Sequence, residues 1–175
     1  MIRYAICYSG AIIYDCMDKK VIYRKEVPSD CFENIIEVAD KYSGMLTFLT
    51  ENESIVSSAD INHMDDFHMG VYQPMYLKVT RQVEDMAAEI KNHDSITKIN
   101  IYFRNQEDRH HGYEELKDLP LTFALAEETS LEMNAQGVSK GAALKILSSL
   151  LGITIEETIE CLPCCCCQLW QRCWA

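Results

Sequence analysis

Apolar positions along this chain come first in short blocks and then at helical spacing. The run IRYAICY stops at Ser9-Gly10, the profile of a buried strand that ends in a tight turn. AIIYD resumes it, and KKVIYRKEV follows a polar Asp15–Lys20 turn, which predicts a hairpin. Pro28-Ser29-Asp30 then opens a helix. Asp30 with Glu33 has the spacing of a capping box, and Phe32, Ile35, Ile36, Ala39 and Tyr42 share one face. Gly44 is expected to close it.

MLTFLT and ESIVSS read as two more strands, and the polar, Met-rich stretch from Ala59 to Pro74 has no assigned structure. A second amphipathic helix is predicted from Thr80 to Asn92, with Val83, Met86, Ala87 and Ile90 inward. ITKINIYF is a strand by alternation and β-branching. A helix over Gln106–Leu119 ends at Pro120, and LTFALAE is another strand. Helices lying between hairpin-like strands predict an α+β layer: one antiparallel sheet with helices on one face.

Composition narrows the function classes. The chain has 175 residues, 48% of them hydrophobic, and a net charge of −11. An acidic surface of that size argues against nucleic acid or an anionic membrane as partner. No stretch is long and apolar enough for a membrane-spanning helix, and the N-terminus lacks the features of a signal peptide. Cys7, Cys16 and Cys31 have no ligand or disulfide spacing, so they read as thiols in a reducing compartment, the cytoplasm.

Beyond the last apolar block the character changes. A strand, SLEMN, leads through Gln136-Gly137 into a helix starting near Ser139, with Ala143, Ile146, Leu147, Leu150 and Leu151 on its inner side. Gly152 ends that helix, and Thr154 with Glu157 has capping-box spacing. Within GVSKG, Lys140 lies in the first helical turn, where the dipole already supplies positive charge. Two readings stay open. Lys140 is a solvated lysine behind a Ser N-cap, or it faces an anion together with the helix N–H groups.

EMNAQGVSKGAALKILSSLLGITIEETI closely resembles the passage in haloacid dehalogenase (HAD) superfamily phosphatases, Cof-like type IIB, that returns from cap domain to catalytic core. YAICYSGAIIYD looks like the same group's strand leading into the cap, usually sNGAxIyD, with Ser9 in place of the asparagine. The resemblance implies an α/β, HAD-like fold: mainly an α+β cap, plus an incomplete Rossmann-like core. Its boundaries are a core strand at 1–14, the cap at 15–130, a partial core at 131–160 and an aberrant tail at 161–175.

The resemblance also implies chemistry. In that family a DxDGT aspartate attacks phosphorus, a Ser or Thr and a Lys hold the phosphoryl oxygens, and a GDxxND loop completes a Mg²⁺ site. Lys140 maps onto the phosphate clamp, and Ser9, Gly10, Asn134 and Ser139 onto substrate-binding positions. DxDGT and GDxxND do not occur among the 175 residues, so no metal ligand can be assigned. The implied parent hydrolyses a small phosphorylated metabolite such as a sugar phosphate, with Mg²⁺ as cofactor. The chain itself is expected to be an incompetent fragment, truncated at both ends and self-associating through its exposed core-facing surface. A non-catalytic α+β ligand- or partner-binding module is the alternative.

The ending ECLPCCCCQLWQRCWA stands where GDxxND is expected, and holds six of the nine cysteines. Cys161 and Cys164 have CxxC spacing without a second pair for zinc. Palmitoylation lacks a basic or amphipathic partner signal. A third reading is translation out of frame: codons for Trp170–Trp174, read two bases on, can give Ala-Ala-Met-Leu. Elsewhere, Asp60, His63, Asp65, Asp66 and His68 have the types of a divalent-metal site but read as a solvated loop, and His110-His111 reads as surface.

Overall fold

Strands form here where β-branched and aromatic residues cluster between turn signals. The computed structural model describes residues 2–93 and 95–158. The first three strands, β1 (Tyr4–Cys7), β2 (Ile12–Asp15) and β3 (Lys20–Arg24), pair antiparallel in chain order. At the β2–β3 turn the Asp15 carboxylate accepts the Met17 and Asp18 N–H groups at 2.9 and 3.0 Å and pairs with Arg3 at 3.2 Å. The Asp18 N–H, then the Met17 N–H and the guanidinium, hold this carboxyl below the usual carboxylate range, against the opposing effect of burial.

Six further strands are β4 (Met45–Leu49), β5 (Ser54–Ser57), β6 (Thr80–Val83), β7 (Lys98–Tyr102), β8 (Leu121–Ala124) and β9 (Ser130–Ala135). They form a second sheet in the order β6-β5-β4-β7-β9-β8, antiparallel throughout except between β5 and β6. The helices are α1 (Phe32–Lys41), α2 (Gln73–Val79), α3 (Met86–Lys91), α4 (Gln106–Leu116) and α5 (Lys140–Leu151). Among the described residues no helix is long and apolar enough to cross a membrane.

The two-residue period of the strands separates two faces. Leu46, Phe48, Ile99, Ile101, Leu131 and Met133 point to one of them, where α1, α3 and α4 pack. Each such side chain contributes about 1.5–3 kcal/mol on full burial. On the other face Met45, Val56 and Tyr102 lie beneath α2 and two 3-10 turns, Ile61–Phe67 and Gly70–Tyr72. The Met-rich stretch that sequence pattern left unassigned is therefore a second cover layer, with Met64 and Phe67 buried in it.

Several local expectations are corrected. Thr80–Val83 is a strand, because its β-branched ends pair parallel with β5; the helix starts only at Met86, where the Asp85 side chain accepts the Ala88 N–H at 2.9 Å. The inward residues Val83, Met86, Ala87 and Ile90 do face the core. The Asp30–Glu33 box does not form: a 3-10 turn, Ser29–Cys31, leads into α1 with no side-chain cap. Ser43, at φ 48°, takes the left-handed position that ends α1, and Gly44 instead makes room for Ile101, whose Cγ2 would lie 2.6 Å from an added Cβ. Leu150 and Leu151 are exposed, unlike Ala143 on the same helix, because a helix stripe is buried only where another layer covers it.

Gly152 ends α5 as expected, with φ +67° and the Ile153 N–H bonded to the Ser148 carbonyl at 2.9 Å. Thr154 N–H and hydroxyl both donate to Glu157 at 2.8 and 3.0 Å, half of the expected box. The chain divides into two compact units, one ending at Leu144 and the next starting at Lys145, so the division falls inside α5. The strand SLEMN, assigned to the core by the resemblance, is β9 and pairs between β7 and β8. The cysteine-rich ending lies outside the described residues.

Candidate phosphate site

The turn after β1 is built from three successive residues with positive φ: Tyr8 at 51°, Ser9 at 60° and Gly10 at 108°. Such backbone costs about 1–3 kcal/mol at a non-glycine position and persists only where its surroundings hold it. Asn134 provides one hold: its Nδ2 donates to the Tyr8 carbonyl at 3.2 Å and to the Thr97 carbonyl at 2.8 Å. Lys98 provides another, its ammonium donating to Ser9 Oγ at 3.1 Å and to Glu132 at 2.7 Å. Tyr8 packs against Ala11, Ala135 and Val138, and burial pushes its phenol far above the usual range.

Gly10 brings this turn against the start of α5. A Cβ there would lie 2.3 Å from the Ser139 carbonyl oxygen and 3.0 Å from the Lys140 nitrogen, so both the space and the φ require glycine. The helix start is itself fixed. Ser139 Oγ accepts the Ala142 N–H at 3.0 Å, and the Ser139 carbonyl accepts the Ala143 N–H at 2.9 Å. Before it, Gly137 N–H donates to Thr122 Oγ1 at 2.8 Å and Lys25 to the Gln136 carbonyl at 2.6 Å. Lys140 is exposed in the first turn.

Ser9 and Gly10 are thus in one locality with Asn134, Ser139 and Lys140, although more than a hundred residues separate the two stretches. Lys98 and Glu132 belong to the same locality and were not singled out from the sequence. Both stand at polar positions of alternating strands, which pattern alone assigns to solvent; the turn that covers them is remote in sequence. Next to them Asn100 Nδ2 lies 3.4 Å from Thr47 Oγ1 and 3.3 Å from the Tyr102 hydroxyl, while Asn100 Oδ1 is buried with no hydrogen-bond partner. Burial, then the neighbouring Tyr76, drives the Tyr102 phenol well above its usual range.

Other candidates do not gather. Arg104 pairs with Asp66 at 3.0 Å and its carbonyl contacts His68 Nε2 at 3.1 Å, and among the described residues the Asp60–His68 set forms no group able to hold a metal ion. His110 and His111 are exposed on α4, His111 stacking on Tyr42. A cavity of about 410 Å³ between α1 and α3 is rimmed by Asp40, Asp60, Glu84 and Asp85, whose charge repels a phosphate. Among the described residues no group of three or more His, Cys, Asp or Glu side chains could hold a metal ion. The described residues therefore do not fit a Mg²⁺ site.

Comparison with known proteins settles the family. The model for haloacid dehalogenase-like hydrolases matches residues 1–160. The chain belongs to that family. Among solved structures, a HAD subclass IIB sugar phosphatase matches with TM-score 0.71 and 17% identity over 90% of this chain and 56% of its own. A haloacid dehalogenase-like hydrolase from B. subtilis matches with TM-score 0.73 and 17% identity over 89% and 61%. Another, from Bacteroides thetaiotaomicron, gives 0.70 and 19% over 86% and 55%. At these identities the likeness is one of fold, and this HAD-like chain spans under two thirds of each. No curated protein sequence matches it significantly.

Proposed function

We propose that this chain supplies the cap and the phosphate-holding lysine of a phosphatase acting on small phosphorylated metabolites, sugar phosphates among them. Lys140 holds the phosphoryl oxygens, with Ser139 beside it, and Ser9, Gly10 and Asn134 shape the substrate's surroundings. The observation that carries this reading is the packing of Gly10 against the Ser139–Lys140 peptide, which joins the two stretches that resemble the family. An ammonium beside the first turn of a helix is matched to a phosphate dianion, whose charge the dipole and the ammonium both favour.

The nucleophilic aspartate and the Mg²⁺ ligands are not among these residues, so the chain alone is incompetent for turnover. Mg²⁺ would supply Lewis-acid polarisation of the phosphoryl group in the complete enzyme. The free thiols of Cys16 and Cys31 support work in the reducing cytoplasm. Within the described residues β1 pairs only with β2 and leaves an open edge, which supports self-association of the isolated chain.

Titration with inorganic phosphate, followed by amide NMR, tests the clamp. Shifts should centre on Lys140 and Gly141 and disappear in Lys140→Ala. Shifts that survive that substitution unchanged would sink the assignment. Hydrolysis of a generic aryl phosphate by the purified chain with Mg²⁺, at a rate Lys140→Ala abolishes, would overturn the incompetence. A monodisperse monomer in sedimentation would remove the self-association.

A further inference from the structure

Lys98 and Glu132 form the least exposed ion pair among the described residues, their side chains 11% and 20% accessible. The desolvation of such a pair offsets most of its attraction, so stability of the sheet does not account for it. What distinguishes the pair is where its remaining hydrogen-bonding capacity goes. The Lys98 ammonium spends a second hydrogen bond on Ser9 Oγ, and the same hydroxyl lies 3.5 Å from Glu132. Ser9 is the middle residue of the positive-φ turn, a conformation that relaxes unless held. The next residue is Gly10, packed so closely on the Ser139 carbonyl that there is no room for a methyl group. A displacement of the turn therefore displaces the first turn of α5.

We infer that Lys98 and Glu132 are positioning residues: they set the Tyr8–Gly10 turn and, through Gly10, the placement of Lys140. The pair belongs to the sheet and Lys140 to the helix, so this contact links the substrate-covering layer mechanically to the phosphate-holding group. The inference rests on the reading of Lys140 as a phosphate clamp. Its mechanical half can be measured without any ligand.

The experiment is amide hydrogen exchange on the full chain, wild type against Lys98→Met, Lys98→Arg and the paired Lys98→Met/Glu132→Gln. The paired variant leaves no buried charge unpartnered, so it keeps the fold if the single variant does not. In it the Ala142 and Ala143 amides, which bond to Ser139, should exchange about tenfold faster, while the β7 amides keep their rates. Lys98→Arg should restore the slow exchange. Equal acceleration along β7, or unchanged Ala142 and Ala143, overturns the link, because a purely structural pair would loosen its own strands first. Inorganic phosphate should then bind the paired variant about tenfold more weakly than wild type. Unchanged phosphate affinity in the paired variant, with binding still lost in Lys140→Ala, overturns the functional half. Unchanged affinity in Lys140→Ala instead sinks the clamp reading, and the exchange result separates that failure from a failure of the link.

Discussion

The two faces of the six-stranded sheet are made by the same strands and do different work. Under α1, α3 and α4 the face is largely apolar, and these helices lie between its strands or just before them in sequence. The opposite face is divided. Methionines and tyrosines fill the half beneath α2, whereas the half beneath the Tyr8–Gly10 turn carries Lys98, Asn100, Glu132 and Asn134. A core that needs only stability has no use for a buried ion pair and an unpartnered amide oxygen. The first face holds the fold together; on the second, Lys98 and Asn134 direct hydrogen bonds to the Tyr8–Gly10 turn.

The largest expected effect falls on the apolar face. Phe103, fully buried against Gly112 and the Tyr42 ring, should cost about 3–5 kcal/mol as Phe103→Ala in urea unfolding. A loss below about 1 kcal/mol would break the contrast, since a core residue so enclosed leaves a cavity.

On the polar half, Lys98→Met alone should cost about 2 kcal/mol, less than a fully buried pair because both side chains retain some accessibility. Lys98→Met with Glu132→Leu should return to within about 1 kcal/mol of wild type, since neither desolvated charge remains. If the double variant stays as unstable as the single one, the polar half contributes stability and the contrast between the faces fails. A smaller effect is expected from Ser139→Ala, about 1 kcal/mol, through the lost bond to the Ala142 N–H. Thermal melting with and without inorganic phosphate would show whether that cap matters more when the site is filled.

The smallest test lies in the other sheet, at Asp15. Its pKa is lowered in the folded protein, so the ionised carboxylate stabilises above the unfolded-state value and its contribution is lost as pH falls through the folded value. Asp15→Asn should therefore melt earlier than wild type at neutral pH, and the two curves should converge in acid. Parallel curves at every pH would place the effect in the turn geometry instead.

Much of the fold is legible because strand alternation and helical spacing are local. α1 shows its buried face in Phe32, Ile35, Ile36 and Ala39, and α5 shows its stop at Gly152. Helix starts were less legible, because a cap depends on how the chain enters: Asp30 and Glu33 have the spacing without the bonds, whereas Asp85 and Asn105 cap helices without having been singled out. The stretch from Ile61 to Tyr72 carries no period, since 3-10 turns bury single residues wherever the sheet beneath has room.

By itself the sequence determined the alternation of the strands, the apolar stripe of α1 and the likeness of its two ends to one family. It also placed Lys140 in a first helical turn and contained no nucleophile motif to go with it. Only the tertiary structure decided that Gly10 lies against Ser139, that Lys98 and Glu132 are covered, and that the Met-rich stretch roofs half a sheet face. Periodicity records what a residue's own element needs, while burial of a polar strand position depends on a segment more than eighty residues away in the chain.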